Sequence, residues 1–225
     1  MNILLTNDDG YNAFGINLLY RLLSKKHNVI MVAPKTMMSA KSVSIIVGRP
    51  VEVKKINDHL FVMDGTPSDC VAFGLSSLNT KFDLVVSGCN HGLNVSYDTM
   101  YSGTVGAGLQ ALTYRIPSIA VSCDNNFGIV EKYFDNVVEF IEKNNLISND
   151  YLLNINFPLG EEAKDIKVTH IFYRKEVTYY SKSSEDMYLA LRDLKDEQCD
   201  DVGSDVYSVY NGIISITKIK KTLDA

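Results

Sequence analysis

The chain has 225 residues, of which 46% are apolar, and this is enough for one large domain with a substantial core. It carries 27 Asp and Glu against 22 Lys and Arg, with no basic block, which disfavours a nucleic acid polymer as a partner. No apolar stretch approaches the length of a membrane span and the first residues lack a signal-peptide pattern, so we expect a cytoplasmic protein without membrane contact.

Apolar runs of strand length alternate with segments of helical period through the first two thirds of the chain. The predicted strands are 3–6, 29–33, 51–56, 60–64, 83–88, 118–122 and 152–158, and the predicted helices are 15–26, 66–78, 102–114 and 129–143. Strands 51–56 and 60–64 form a predicted hairpin, and Thr66 is the expected N-cap of the helix after it. The alternation is typical of right-handed βαβ units and predicts an α/β fold with a mostly parallel sheet.

The pattern changes after Pro158. Segments 166–180 and 206–219 alternate in the two-residue period of exposed or hairpin strands, and residues 181–204 between them are polar and acidic. We therefore predict one domain over 1–225, with a core of 1–158 and a C-terminal β-hairpin and loop extension of 159–225. The extension is rich in Tyr and Ile for a solvated tail, which favours a role in association.

Polar side chains follow three of the predicted parallel strands, and these are Asp8, Asp9, Ser39 and Asn90. Ligands of open parallel sheets bind beyond the carboxyl ends of the strands, so these oxygens are expected to converge. Two adjacent carboxylates at a buried edge repel each other and need solvent or a cation. Mg²⁺ or Mn²⁺ suits carboxylate, amide and hydroxyl oxygens. Taken alone, Asp8-Asp9-Gly10 is equally typical of a capped turn. Ser39 taken alone is more typical of a loop hydroxyl than of a metal ligand.

A run of small residues, 101–108, opens the helix that follows the third of these strands. Its free backbone N–H groups and positive dipole end predict an anion cradle, to which Ser102 and Thr104 add hydroxyls. Close helix packing through Gly106 and Gly108 explains the same residues, and the two interpretations are compatible.

Several familiar catalytic motifs are absent from the sequence. There is no G-x-x-x-x-G-K-[ST], which excludes a P-loop NTPase, and no G-x-G-x-x-G follows the first strand, which disfavours a dinucleotide site. The lack of G-x-S-x-G disfavours a serine hydrolase. The region around Asp8 also lacks the Asp-x-Asp spacing of phosphatases that form an aspartyl phosphate.

The chain resembles the SurE family of survival-protein nucleotidases in six segments that cover nearly its whole length in order. They are ILLTNDDGYNAFGI, VAPKTMMSAKSVSI, DGTPSDCV, DLVVSGCNHGLNVSYDTMYSGTVGAG, LLNINFP and GSDVYSVYNGIISIT. The resemblance implies a Rossmann-like three-layer αβα fold and homodimers or homotetramers assembled partly through the C-terminal extension. It also implies metal-dependent removal of phosphate from nucleoside monophosphates, a 5′-nucleotidase activity, with 3′-nucleotidase and exopolyphosphatase activities left open.

The resemblance assigns one divalent cation per subunit, Mg²⁺ or Mn²⁺, to Asp8, Asp9, Ser39 and Asn90. Our hypothesis is in-line attack of water on phosphorus, with Asp8 and Asp9 supplying the catalytic charge. The expected phosphate-binding groups are Asn94, Ser102, Gly103 and Thr104. No general acid stands out. His91 is the nearest candidate in sequence, and we interpret it as a surface or supporting group.

The sequence departs from the family pattern near the expected site. Met38-Ser39-Ala40 stands where the family usually has Gln-Ser-Gly, so Ala40 would strain the loop if this position needs a positive φ. Phe14 stands where Pro is usual, and Met37 and Met38 place apolar bulk near the mouth of the site.

Two other classes of protein remain open at this point. In a receiver-like signalling module, paired acids after the first strand bind Mg²⁺, but Asn90 stands where a phosphorylatable Asp is expected and no Lys follows 118–122. A nucleotide- or phosphate-sensing binding protein would keep the site without turnover. Phosphate release from AMP separates both from an enzyme.

Overall fold

The computed structural model describes residues 1–173, 177–193 and 199–220. Within these ranges the chain forms a nine-stranded sheet, a separate two-stranded sheet and helices. The strands are β1 Asn2–Thr6, β2 Asn28–Pro34, β3 Val53–Asn57, β4 Leu60–Met63, β5 Leu84–His91, β6 Ser118–Cys123, β7 Tyr151–Asn156, β8 Asp165–Thr169, β9 Val177–Ser184, β10 Met187–Asp193 and β11 Ile213–Lys220. The helices are α1 Phe14–Leu23, α2 Pro67–Ser77, α3 Asp98–Tyr101, α4 Gly103–Thr113, α5 Phe127–Lys143 and α6 Asp205–Tyr210.

The large sheet has the order β3-β4-β2-β1-β5-β6-β7-β11-β8. Its central strands, from β4 to β7, are parallel, while β3 runs antiparallel to β4 and β11 antiparallel to β7. From β1 the chain moves outward to β2 and β4, and then returns to the other side of β1 as β5. The carboxyl ends of β1 and β5 therefore flank the point where the direction of winding reverses, which is where open α/β sheets bind ligands.

Helices cover both faces of this sheet. Alternate residues of β1 point to opposite faces, so Ile3 and Leu5 are buried in the cluster that includes α1 and α5, and Leu4 in the cluster that includes α2 and α4. The apolar stripe of α1 contributes Leu18, Leu19 and Leu23, and that of α5 contributes Val137 and Ile141. The predicted three-layer αβα fold is confirmed. No helix within the described ranges combines the length and apolar character that crossing a membrane requires.

The start of α2 agrees with its predicted cap. The Thr66 hydroxyl accepts a hydrogen bond from the Asp69 N–H at 3.1 Å, and the Asp69 carboxylate accepts the Thr66 N–H at 2.9 Å. This reciprocal pair satisfies two backbone donors that a helix start otherwise leaves open.

The strand prediction for 206–219 is wrong in its first half. Residues 205–210 form helix α6, whose N-cap Ser204 accepts the Tyr207 N–H at 3.1 Å, and only β11 is a strand. Val206 and Val209 are both buried, and their three-residue spacing is that of a helix. The segment VYSVY also fits the two-residue period of a strand, which is why its sequence pattern was misleading.

The chain beyond Pro158 belongs in part to the main sheet and is therefore more than the predicted hairpin and loop extension. Strands β8 and β11 continue the main sheet, and β9 and β10 alone form the separate antiparallel hairpin. Residues 174–176, part of the strand prediction for 166–180, lie outside the described residues. A role of the hairpin in association stays a prediction.

Candidate active site

The loops after β1, β2 and β5 meet at the carboxyl edge of the sheet, around a cavity of about 280 Å³. Six of the predicted site residues line this cavity, namely Asp8, Asp9, Ser39, Asn90, Asn94 and Ser102. Gly103 and Thr104 lie directly behind it, against Asp8. The structure thus brings together groups that are as much as 94 residues apart in the chain.

Asp8 is the most buried of the acidic groups in the cavity, with 4% of its surface exposed. Its Oδ1 accepts a hydrogen bond from the Thr104 hydroxyl at 2.5 Å, and its backbone carbonyl accepts the Met38 N–H at 2.7 Å. Burial raises the pKa of Asp8 to about 6, and the negative charge of Asp9 acts in the same direction, although the bond from Thr104 opposes both. A carboxylate in this position is stabilised by a cation.

Asp9 and Asn90 are placed side by side by the end of β5. The N–H of His91 donates to Asp9 Oδ2 at 3.2 Å. Asn90 donates from Nδ2 to the Gly92 carbonyl at 2.8 Å, which leaves its Oδ1 as the group available to a ligand. Gly88 has a φ of 129°, and a Cβ there would lie 2.2 Å from the Val121 carbonyl oxygen, so only glycine lets β5 approach β6 in this way.

The loop that carries Ser39 is held against the same edge by backbone contacts. The Met38 N–H bonds to Asp8, and Ser42 donates from its N–H to the Tyr101 carbonyl at 2.9 Å and from its hydroxyl to the Met100 carbonyl at 2.8 Å. Ala40 has a φ of 57°, so the position where the family usually has glycine does adopt the left-handed conformation. The backbone of Ala40, next to the candidate metal ligand Ser39, is therefore strained.

Replacing Ala40 by Gly is expected to stabilise the protein by about 1 kcal/mol, because glycine removes the left-handed strain and this gain exceeds the entropy it adds to the unfolded chain. Thermal unfolding should shift upward by about 2–4 °C, measured by circular dichroism. The matched control is Ala107→Gly inside α4, where the same substitution should lower stability by about 1 kcal/mol. An unchanged or lower melting temperature for Ala40→Gly would contradict the strain.

The N-terminus of α4 packs tightly behind Asp8. Ser102 caps this helix by accepting the Val105 N–H at 3.1 Å, and the Thr104 hydroxyl is bonded to Asp8. Both hydroxyls therefore have partners within the protein, so a phosphate contact from Thr104 requires an exchange of its bond to Asp8. Cβ atoms at Gly106 and Gly108 would lie 2.0 Å from the Ser42 carbonyl oxygen and 2.6 Å from Leu152 Cδ1, which confirms their role in close packing.

Gly103 is expected to tolerate no side chain. A Cβ at this position would lie 2.9 Å from Asp8 Cβ and 3.2 Å from Pro67 Cγ, so Gly103→Ala must displace Asp8 or separate α2 from α4. We expect a loss of about 1–3 kcal/mol in unfolding free energy together with weaker Mn²⁺ binding, measured by denaturant titration and calorimetry. Gly128→Ala in the first turn of α5 is the control, because its Cβ would approach only the end of the Asn126 side chain. If Gly103→Ala bound Mn²⁺ with wild-type affinity, the expected displacement of Asp8 by the new Cβ would be contradicted.

Asn94 is clamped by two asparagines that the sequence analysis did not single out. Asn156 accepts the Asn94 N–H at 2.8 Å and donates to its carbonyl at 3.0 Å, and Asn154 donates to the same carbonyl at 2.8 Å. The Asn94 side chain donates to the Ser122 hydroxyl at 2.8 Å. Two asparagines in alternate positions of the apolar run LLNINFP were the available signal, since a buried strand rarely carries amides without a partner.

Asp205 is a third supporting residue that sequence reasoning missed. It is fully buried, and its carboxylate accepts the N–H groups of Ser96 at 2.8 Å and Phe172 at 2.9 Å. The start of α6 is thereby tied to the loop that carries Asn94. This gives the C-terminal part of the chain a direct structural connection to the cavity.

The donor set fits a hard divalent cation. Among the described residues, no Lys or Arg forms an ion pair with Asp8 or Asp9. No positively charged side chain in an ion pair therefore lowers the pKa of Asp8, which burial raises. No trio of His, Cys, Asp or Glu is arranged for a metal in the same ranges, so the neutral oxygens of Ser39 and Asn90 would have to complete the shell. Oxygen-only donor sets are characteristic of Mg²⁺ and Mn²⁺.

The fold and the cavity define the class: a Rossmann-like α/β protein whose oxygen-rich, acidic site lies at the switch point of a mostly parallel sheet. The family model described as "Survival protein SurE" matches residues 3–178. A protein named 5′-nucleotidase SurE from Clostridium botulinum strain 657 is 39% identical, covering 97% of this chain and 92% of its own, and one from Clostridium beijerinckii is 38% identical with the same coverage.

A solved structure supports the same assignment. The crystal structure of SurE protein from Aquifex aeolicus matches with a TM-score of 0.83 and 34% identity, covering 99% of this chain and 94% of that one. The chain belongs to the SurE family.

Proposed function

We propose that this protein is a 5′-nucleotidase that hydrolyses nucleoside monophosphates to nucleoside and phosphate with the help of one divalent cation. The observation that carries the proposal is the buried Asp8, which has no Lys or Arg partner among the described residues and lines one cavity with Asp9, Ser39 and Asn90. The names of the relatives point to the same reaction.

Different residues of the site would bind the metal and the phosphate. Asp8, Asp9, Ser39 and Asn90 would hold Mg²⁺ or Mn²⁺, which when bound supplies positive charge to the phosphate and acidifies water. Thr104 fixes the orientation of Asp8, and the His91 N–H fixes that of Asp9. Asn94 and the Ser102 end of α4, with Gly103 and Thr104 behind it, orient the phosphate for in-line attack by water.

The test is phosphate release from AMP by protein freed of metal with EDTA and then given Mn²⁺ or Mg²⁺. We expect no release in chelator and recovery with either ion, which would exclude the receiver-like and sensing alternatives. Tight AMP binding without release would instead favour the sensing protein. Parallel assays with 3′-AMP and a short polyphosphate show whether the site also acts as a 3′-nucleotidase or exopolyphosphatase.

We also propose that the protein is a homodimer or homotetramer joined through the β9–β10 hairpin. Every residue from 178 to 190 is exposed, including Tyr180 at 68%, Tyr188 at 59% and Leu189 at 58%. A two-stranded hairpin is marginal in water unless something packs on it. A second copy of the chain would cover these side chains.

Light scattering coupled to size exclusion should therefore give a mass of two or four chains for the wild type and a smaller mass for Leu189→Glu. Ile147→Glu, another exposed apolar position at 44%, serves as the control. A monomeric wild type would refute this assembly.

We place the protein in the cytoplasm, in keeping with the free thiols of Cys70, Cys89 and Cys123.

A further inference from the structure

A row of three rings beside the cavity has no role in the site as described so far. We call Phe14, His91 and Phe127 the aromatic ledge. The ring centroids of Phe14 and Phe127 are 5.2 Å apart, and those of Phe127 and His91 are 6.2 Å apart with a tilt of 27° between their planes. The planes of Phe14 and Phe127 are tilted by 53°, so the ledge is a row of contacting rings that turns between Phe127 and Phe14.

The ledge is joined directly to the candidate metal ligands. His91 lines the cavity, follows Asn90 in the chain and donates its backbone N–H to Asp9 Oδ2. Its ring Nε2 is in contact with Asn125 Oδ1, which limits rotation of the imidazole. Its position at the cavity rim is thus set by contacts on both its backbone and its ring.

Close packing places Phe14 at the outer end of the ledge. A Cβ on Gly15 would lie 1.9 Å from the Cys89 carbonyl oxygen, so the first turn of α1 contacts the segment that leads into Asn90. Phe14 is nevertheless 64% exposed, whereas the rest of the apolar stripe of α1 packs into the core. Phe14 itself does not line the cavity but is connected through Phe127 to His91, which does. An exposed aromatic ring so close to a cavity is typical of a ligand contact.

We propose that the aromatic ledge binds the base of the nucleotide substrate by stacking, with Phe14 as a specificity-determining residue that favours purines. The proposal rests on the proposed function, because the phosphate must occupy the cavity for the base to reach its rim. Base stacking on aromatic side chains needs only a π face, and a purine offers a larger one than a pyrimidine. The ledge then gives this chain a preference for nucleotides over phosphate esters without a base.

The experiment compares kcat/KM for AMP and for ribose 5-phosphate, which has the same phosphate and sugar but no base. In Phe14→Leu, which keeps the apolar contact and removes the ring, we expect kcat/KM for AMP to fall about tenfold and that for ribose 5-phosphate to stay within about twofold. CMP should lose less than AMP. Tyr114→Leu, an exposed aromatic residue that ends α4 away from the cavity, should change neither substrate.

Three outcomes would overturn the ledge. They are an unchanged ratio of AMP to ribose 5-phosphate in Phe14→Leu, a loss found only in Tyr101→Leu on the rim formed by α3, and a change in oligomeric mass without a change in the ratio. If the wild type releases phosphate from neither substrate, the proposed function fails, and calorimetry of AMP and ribose 5-phosphate binding then tests the ledge directly. In that case AMP binding about tenfold weaker in Phe14→Leu supports it, and equal binding overturns it.

Discussion

Asp9→Asn and Asp8→Asn are each expected to lower phosphate release from AMP by at least about 100-fold at micromolar Mn²⁺. Each substitution keeps the size of the side chain and removes one negative charge from the cavity, so it weakens the hold on a divalent cation. The measurement is phosphate release across a Mn²⁺ titration, with metal binding followed by calorimetry. Part of the activity should return at millimolar Mn²⁺. Full activity of Asp9→Asn at low Mn²⁺ would refute the assignment.

The two variants are expected to differ in the stability of the metal-free protein. Folding raises the pKa of Asp8 from 3.8 to about 6, so its contribution to stability is lost as the pH rises from about 4 through 6. At pH 7 the ionised group costs about 3 kcal/mol. Asp8→Asn should therefore raise the melting temperature in EDTA by several degrees. Asp9→Asn is the matched control and should give a much smaller change, since Asp9 is less buried.

Asn156→Ala is expected to have the second-largest effect, because it breaks both hydrogen bonds between Asn156 and the Asn94 backbone and leaves the buried Asn94 N–H without its acceptor. We expect a loss of about 2–4 kcal/mol in unfolding free energy. The KM for AMP should rise, with kcat/KM falling by about 100-fold, because the loop that orients the phosphate is no longer held in place.

A comparison variant separates positioning from stability alone. Asn144→Ala removes an asparagine that donates to the Phe140 carbonyl at the exposed end of α5, and it should cost less than about 1 kcal/mol and leave KM unchanged. A destabilised Asn156→Ala protein with wild-type KM at a temperature where it is folded would show that Asn156 supports the fold without positioning Asn94.

Much of the fold was predictable because local patterns and tertiary packing agree. The βαβ alternation and the cap at Thr66 can be identified residue by residue, and all the helices predicted before Pro158 are present. The prediction failed at 205–210, where the side chains of VYSVY are apolar enough to fit either period. What decides for a helix there is Ser204 as N-cap and the burial of Val206 and Val209 against Val95.

The candidate ligands were also predictable, for a topological reason. Strands β1, β2 and β5 are parallel neighbours, so residues at or shortly after their carboxyl ends reach the same edge of the sheet. The groups that orient these ligands follow no such rule. Thr104 reaches Asp8 from a helix on one face, and Asn156 reaches Asn94 from β7, two strands away from β5 in the sheet.

The sequence by itself thus determined the class of fold, the edge at which the site lies and the oxygen donors expected there, because strand and helix periods and strand order are encoded locally. Only the tertiary structure decided which donors are buried and which are already bonded within the protein. It also showed that Ala40 adopts a left-handed conformation and that Phe14 joins His91 and Phe127 in one aromatic row. Burial, hydrogen-bond partners and ring contacts depend on residues distant in the chain, and a linear pattern does not contain their distances.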